Sequence, residues 1–143
     1  MKLTKVEYAS LNARQKENFN LQKLSAVLAE YGFVTHRLSD DWEGADLIAR
    51  HINGDVLFVQ MKSRLTVNHK YKGKQLHIAF PHGDEWYIFP HDEFLAKVLE
   101  STTIGSTDSW SKNGGYSWPK LSAQMLELLE HYRIRGSTKP IDD

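Results

Sequence analysis

The stretch from Ala45 to Arg64, ADLIARHINGDVLFVQMKSR, constrains this chain more than any other. Two apolar runs flank His51-Ile52-Asn53-Gly54-Asp55. An Asn-Gly pair between two such runs is a strong hairpin signal. The second run, Val56 to Val59, is apolar on both faces, as befits a central strand covered on both sides. It then ends in Gln60-Met61-Lys62. Side chains alternate along a strand, so Gln60 and Lys62 follow Val56 and Phe58 on one face, while Leu57, Val59 and Met61 take the other. An amide and an ammonium at the end of a core strand call for a polar partner beside them.

Asp46 is that partner if the hairpin has the right parity. Directly opposed residues of an antiparallel pair point to the same side. A two-residue Asn53-Gly54 loop sets Asp46 opposite Met61, on the wrong face. A three-residue loop, Ile52-Asn53-Gly54, sets it opposite Gln60, and Gly54 suits the left-handed last position of such a loop. The three-residue loop, or a bulge of the same effect, is therefore expected. Asp46, Gln60 and Lys62 then form one cluster.

A helix is expected from about Leu11 to Tyr31, closed by Gly32, with Leu21, Leu24, Leu28 and Tyr31 at helical spacing. One turn back from Leu21 lies Glu17, on the same inward stripe, with Asn20 nearby. A carboxylate there needs a cation or a metal. An exposed place within RQKEN is the alternative for Glu17. Further strands are expected over Phe33–Leu38, Ala45–His51, Asp55–Arg64, Gln75–Phe80 and Glu85–Phe89, with SDDWEG as a polar turn. Helices are expected over His91–Glu100 and from Pro119 to about His131. Trp110, Tyr116 and Trp118 should anchor the loop between them, and His91 should start its helix. The order makes an α/β protein, a mixed sheet with helices against it. One domain over residues 1–135 and a mobile tail over 136–143 are expected.

Cysteine is absent, which excludes disulfides, thiolate zinc sites and cysteine nucleophiles. There is no apolar run long enough for a bilayer and no apolar core of a signal peptide, so a cytoplasmic protein without a membrane partner is expected. Formal net charge is zero, so a polyanionic partner must show itself in local charge. It does: between Asp55 and Asp84 no acidic residue occurs, while Lys62, Arg64, Lys70, Lys72 and Lys74 do, with His69 and Tyr71 interleaved. Phosphate-backbone binding requires such a segment. A solvated hairpin loop is the plainer reading of it.

Asp46, the hairpin and Val59-Gln60-Met61-Lys62-Ser63-Arg64 together resemble the core of the PD-(D/E)XK nuclease superfamily, which includes restriction endonucleases and Holliday-junction resolvases. Glutamine in the acidic position resembles its QxK variant. The resemblance runs from about Glu17 to Phe89. It implies a restriction endonuclease-like mixed central β-sheet flanked by helices, and an endonuclease that cleaves DNA with Mg2+ or Mn2+. Asp46 would be the central metal ligand, joined by the Gln60 side-chain oxygen, the Met61 backbone carbonyl and Glu17, directly or through water. Lys62 would assist the attacking water. Arg64, His69, Lys70, Lys72 and Lys74 would bind nucleic acid. A homodimer is expected on the same ground, and RNA stays open as a substrate. Because Gln60 is neutral, a catalytically weak or inactive nucleic-acid-binding module stays open too. The family usually places a helix after the QxK strand; here that stretch reads as strand and turn, with the helix displaced to residues 91–100.

Overall fold

A computed structural model describes residues 1–136, with Asp41 described by its backbone alone; beyond Gly136, the tail expected over 136–143 lies outside the described residues. A capping box opens α1 (Ala13–Glu30): the Asn12 side chain accepts the Gln15 N–H, and the Gln15 side chain accepts the Asn12 N–H. The helix thus starts two residues later than expected. Leu21, Leu24 and Leu28 form its inward stripe, but Tyr31 lies past its end and is exposed. Each fully buried leucine contributes about 2 kcal/mol through the apolar surface it hides.

Six strands form the main sheet: β1 (Phe33–Trp42), β2 (Ala45–His51), β3 (Val56–Met61), β5 (Leu76–His82), β6 (Glu85–Pro90) and β8 (Arg133–Ile134), in the order β1-β2-β3-β5-β6-β8. A two-stranded ribbon pairs β4 (Thr66–Asn68) with β7 (Gly115–Ser117). β3 and β5 run parallel, and the other neighbours in the main sheet are antiparallel. This is the expected mixed central sheet flanked by helices. β3 lies between β2 and β5, as its two apolar faces required.

Turn chemistry moved several boundaries. β1 continues through most of the expected SDDWEG turn and closes at Glu43-Gly44, both at positive φ (49° and 92°), the geometry of a tight hairpin. β3 stops at Met61, short of Arg64. β5 extends to His82 because its turn to β6 is only Gly83-Asp84. Residues expected as loop carry α3 (Asp108–Asn113) and β7. The last helix, α4 (Ala123–Leu129), starts after Ser122, whose hydroxyl accepts the Met125 N–H at 3.2 Å; Pro119 lies outside it.

The crossover from β3 to β5 contains no α-helix. It runs through β4 and a 3-10 turn, His69–Tyr71, and the next helix is α2 (His91–Ser101), after β6. The sheet separates two cores. Leu24 and Leu28 of α1 pack on Leu47, Ala49, Val59 and Ala79. On the opposite side Ile78, Phe80 and Phe89 meet Phe94 and Val98 of α2, Leu129 of α4, and the crossover residues Leu65, Val67 and Tyr71. Trp110 is buried in this second core, and Tyr116 and Trp118 pack against it, so all three anchor their loop.

Candidate active site

The β2–β3 loop has the expected parity. The His51 N–H donates to the Asp55 carbonyl (2.8 Å) and the Gly54 N–H to the His51 carbonyl (2.9 Å), enclosing Ile52-Asn53-Gly54. Gly54 has φ +99°, a conformation that suits glycine. The register then pairs Ile48 with Phe58 and Leu47 with Val59. Carried one residue further, it sets Asp46 opposite Gln60.

At Asp46 both ladders come apart. Toward β1, the register shifts between the pairs Arg37–Leu47 and Trp42–Ala45, so four residues, Leu38 to Asp41, face Asp46 alone. Toward β3, pairing stops at Leu47–Val59, and the Met61 N–H donates to both carboxylate oxygens of Asp46, each at 3.2 Å. Strand β2 also turns over here: Leu47 and Ala49 pack in the α1-side core, Ala45 in the other. The Asp46 carboxylate therefore points into the fork between β2 and β3. Simple alternation had put it squarely on the face of Gln60 and Lys62.

Gln60 and Lys62 line a cavity of about 440 Å³ together with Gly44, Lys70, Tyr71 and Lys74. The β1–β2 turn closes over it because Gly44 has no Cβ; one there would lie 3.3 Å from both Tyr71 and Leu76. The buried Tyr71 ring carries Lys62 Nζ at 5.7 Å and Lys70 Nζ at 5.2 Å. Such cation–π contacts stabilise by about 0.5–1 kcal/mol at exposed sites. The Lys62 N–H still bonds to the Ala79 carbonyl at 2.8 Å, which fixes its backbone past the strand end. Gln60 Nε2 donates to the Met61 carbonyl at 3.3 Å.

Glu17 reaches the same strand end from the α1 side. With Asn20, Met61, Lys62 and Ser63 it lines a second cavity of about 280 Å³, where the helical count had placed it. Its carboxylate is half exposed and pairs with Arg37 at 2.5 Å, and Arg37 also bonds to Asn18. Glu17 is thus exposed, the alternative place for it, and its carboxylate meets a cation from β1.

The basic segment divides. Lys70 and Lys74 share the cavity of Gln60 and Lys62. Arg64 opens onto an adjoining cavity. His69 stacks on Trp110, with ring centroids 4.1 Å apart. Lys72 sits near the pair His91–Asp92 and works against a charge on His91. Arg37, Lys112, Arg133 and Arg135 pair with carboxylates; among the described residues Lys62, Arg64, Lys70, Lys72 and Lys74 do not.

His91 holds this segment to α2. It starts the helix, as expected, but is almost fully buried. Its Nε2 accepts the Asn68 N–H at 3.1 Å, and its Nδ1 lies 2.9 Å from an Asp92 oxygen. The other Asp92 oxygen accepts the Gly73 N–H at 2.9 Å. Nε2 accepts, so the ring proton sits on Nδ1 and is donated to Asp92. Burial pushes the His91 pKa down, against the opposing pull of Asp92. Sequence reasoning missed this anchor and the aromatic floor at Tyr71. The adjacent His91-Asp92 pair was a local signal for the anchor, but its partner Asn68 is remote in sequence.

The oxygen set on offer is hard: one carboxylate from Asp46, the Gln60 amide oxygen and the Met61 carbonyl. Among the described residues no group of three or more acidic or histidine side chains could hold a metal ion. Mg2+ is commonly held by one or two carboxylates plus waters and substrate phosphates, so the donors fit a cation that the substrate helps to bind.

No family model and no curated protein matches the chain. Among solved structures it is similar to the Holliday junction resolvase Hjc of the archaeal hyperthermophile Archaeoglobus fulgidus, with 16% identity over 51% of this chain and 76% of that one, at a TM-score of 0.41. It is also similar to a bacterial homing endonuclease, with 14% identity over 85% of this chain and 86% of that one, at a TM-score of 0.49. Among the described residues no helix is long and apolar enough to cross a membrane.

Proposed function

We propose that this protein is a nuclease that hydrolyses phosphodiester bonds of DNA with Mg2+ or Mn2+. The observation that carries the reading is the fork at Asp46, a sheet opened on both sides of one carboxylate with Gln60 and Lys62 at the end of the next strand. Each backbone bond lost from a ladder costs about 0.5–1.5 kcal/mol. Irregular pairing of this kind concentrates next to active sites, where it re-aims a side chain.

A divalent ion in the fork would stabilise charge on a phosphoryl oxygen and acidify a water. Asp46 would hold it from between the strands. Gln60 would turn its amide oxygen toward it, and in doing so release the Met61 carbonyl. Glu17 would contribute from the α1 side, through water, if it leaves Arg37. Lys62, a compact charge above Tyr71, would orient the attacking water and face the developing negative charge. Lys70 and Lys74 would neutralise the backbone in the same cavity.

A second reading is a nucleic-acid-binding module with weak or no catalysis. The neutral Gln60 and the engagement of Glu17 by Arg37 favour it. The test uses plasmid and linear DNA, with and without Mg2+ or Mn2+, for the wild type and Lys62→Ala. Metal-dependent cleavage that disappears in the variant supports the nuclease. Retention of DNA with no cleavage by either protein leaves the binding module. Cleavage of RNA in preference to DNA would move the reading to a ribonuclease.

A further inference from the structure

A third cavity adjoins the strand end, and neither the catalytic constellation nor the Lys70–Lys74 side uses it. It encloses about 440 Å³, its polar lining is Ser63, Arg64, His82 and Lys120, and Trp118 forms an aromatic wall. Three separate parts of the chain make it: the residues directly after Lys62, the end of β5 with its turn, and the segment between β7 and α4.

These walls are held together. The Trp118 N–H donates to the Leu65 carbonyl at 3.0 Å, and the hydroxyls of Thr66 and Ser117 bond at 3.2 Å. The β4–β7 ribbon continues the tie through Val67 and Tyr116. Lys120 is thereby brought to the cavity of Arg64, although the two are far apart in sequence.

The charge is one-sided. Arg64, His82 and Lys120 are exposed, and among the described residues none of them is in an ion pair. Among the described residues no carboxylate lines the cavity; Asp84, from the same turn as Gly83, lines the neighbouring one on the α1 side. Ser63 is shared with the cavity of Glu17, and Lys62 links that cavity to the one of Gln60. The Lys62-Ser63 pair thus stands between two unpaired basic surfaces.

We propose that the Arg64–His82–Lys120 cavity is a second seat for the DNA backbone. Lys70 and Lys74 hold the strand on one side of Lys62, and this cavity holds it on the other. Which phosphate lies between them rests on the nuclease reading; binding at the seat does not. Arg64 offers a planar fork for phosphate oxygens, Lys120 a point charge, and Trp118 an apolar wall for the sugar. Contacts to phosphate and sugar carry no sequence information, so this seat adds affinity without sequence preference.

The test measures binding of a short DNA duplex over a salt series, with no divalent ion present. Lys120→Glu is compared with Lys5→Glu, the same charge change outside these cavities, and with Lys120→Arg. Thermal melts confirm that each variant is folded, and Lys120→Ala replaces Lys120→Glu if that one is not. Loss of a phosphate contact should lower the steepness of log affinity against log salt by about 0.9. Lys120→Glu should show this and bind about tenfold more weakly at low salt, while Lys120→Arg and Lys5→Glu stay near wild type. Equal affinity and slope for Lys120→Glu and Lys5→Glu would overturn the seat, as would a wild type that does not hold the duplex. A protein that shows the predicted slope change yet never cuts DNA retains the seat and loses the nuclease. One that cuts DNA while Lys120→Glu binds normally does the reverse.

Discussion

The two ends of the β2–β3 ribbon are built on opposite rules. At the closed end, His51 and Asp55 pair across a three-residue loop, and the register holds from Arg50–Val56 to Leu47–Val59. Its side chains are unremarkable there, and Ile52 and Val56 are simply exposed. At the open end, pairing fails on both sides of Asp46, and a carboxylate takes the Met61 N–H. Regular backbone sets the register, and that register decides which residues arrive where the backbone is irregular. The closed end should therefore matter for stability and the open end for chemistry.

The largest effect should come from the open end. Asp46→Ala should lower metal-dependent cleavage about 10³-fold, since a metal contributes several kcal/mol of transition-state stabilisation and each 1.36 kcal/mol is tenfold. Asp46→Asn should lose nearly as much activity, yet it keeps an acceptor for the Met61 N–H and should unfold within about 1 kcal/mol of wild type. Cleavage kinetics and urea unfolding on the same preparations check both. A large loss of stability in Asp46→Asn, matching its loss of activity, would make Asp46 a structural cap.

Next in size is the anchor behind the basic segment. His91→Ala leaves the Asn68 N–H without its acceptor and opens a cavity, which should cost about 2–4 kcal/mol in urea unfolding. Unfolded, His91 takes up a proton near its ordinary pKa of 6.5; folded, burial delays this to lower pH. Its contribution is complete above pH 6.5 and is lost as pH falls below that value. His77 is partly buried, its Nδ1 is enclosed with no hydrogen-bond partner among the described residues, and burial pushes its pKa down as well, so it acts in the same direction. The comparison is therefore between the slopes of wild type and His91→Gln, which keeps an acceptor and does not titrate. A flatter acid limb in His91→Gln is expected; an identical one would show that the anchor does not titrate over that range.

The closed end gives a smaller and purely structural effect. Gly54→Ala meets no neighbour within 4 Å, but φ is +99° there, so strain alone should cost about 1–2 kcal/mol. Cleavage per folded molecule should be unchanged. If activity falls further than the folded fraction, the register itself has slipped, and Asp46 and Gln60 with it.

Much of this was legible because it follows from parity. The loop length, the central place of β3 and a register that ends one residue short of Asp46 and Gln60 follow from period-two alternation and from one glycine. The fork was not legible. It depends on four residues of β1 facing Asp46, and no local pattern announces such a shift. The turn within SDDWEG was expected, but not its narrowing to Glu43-Gly44, because glutamate at positive φ is an unfavoured choice that only the completed hairpin enforces. The crossover without a helix did show in the sequence, as a stretch with no helical period. The third cavity did not, since Arg64, His82 and Lys120 meet through pairing between remote segments.

Glu17 gives the smallest effect and the finest test of where the open end stops. Its helical position brings it to Met61 and Lys62, but Arg37 already holds its charge. For stability, the pair is about half exposed and should be worth no more than about 0.5 kcal/mol. Glu17→Gln should therefore melt almost as wild type does. If Glu17 also steadies the metal through water, the variant should need about tenfold more Mg2+ for half-maximal cleavage, the low end of the range for supporting ligands. Arg37→Ala separates the two roles. It frees the carboxylate, so a supporting ligand predicts a lower Mg2+ requirement, whereas a purely structural pair predicts that Arg37→Ala and Glu17→Gln leave that requirement alone. Opposite shifts in the two variants would extend the site across the sheet to α1; no shift in either would confine it to the fork.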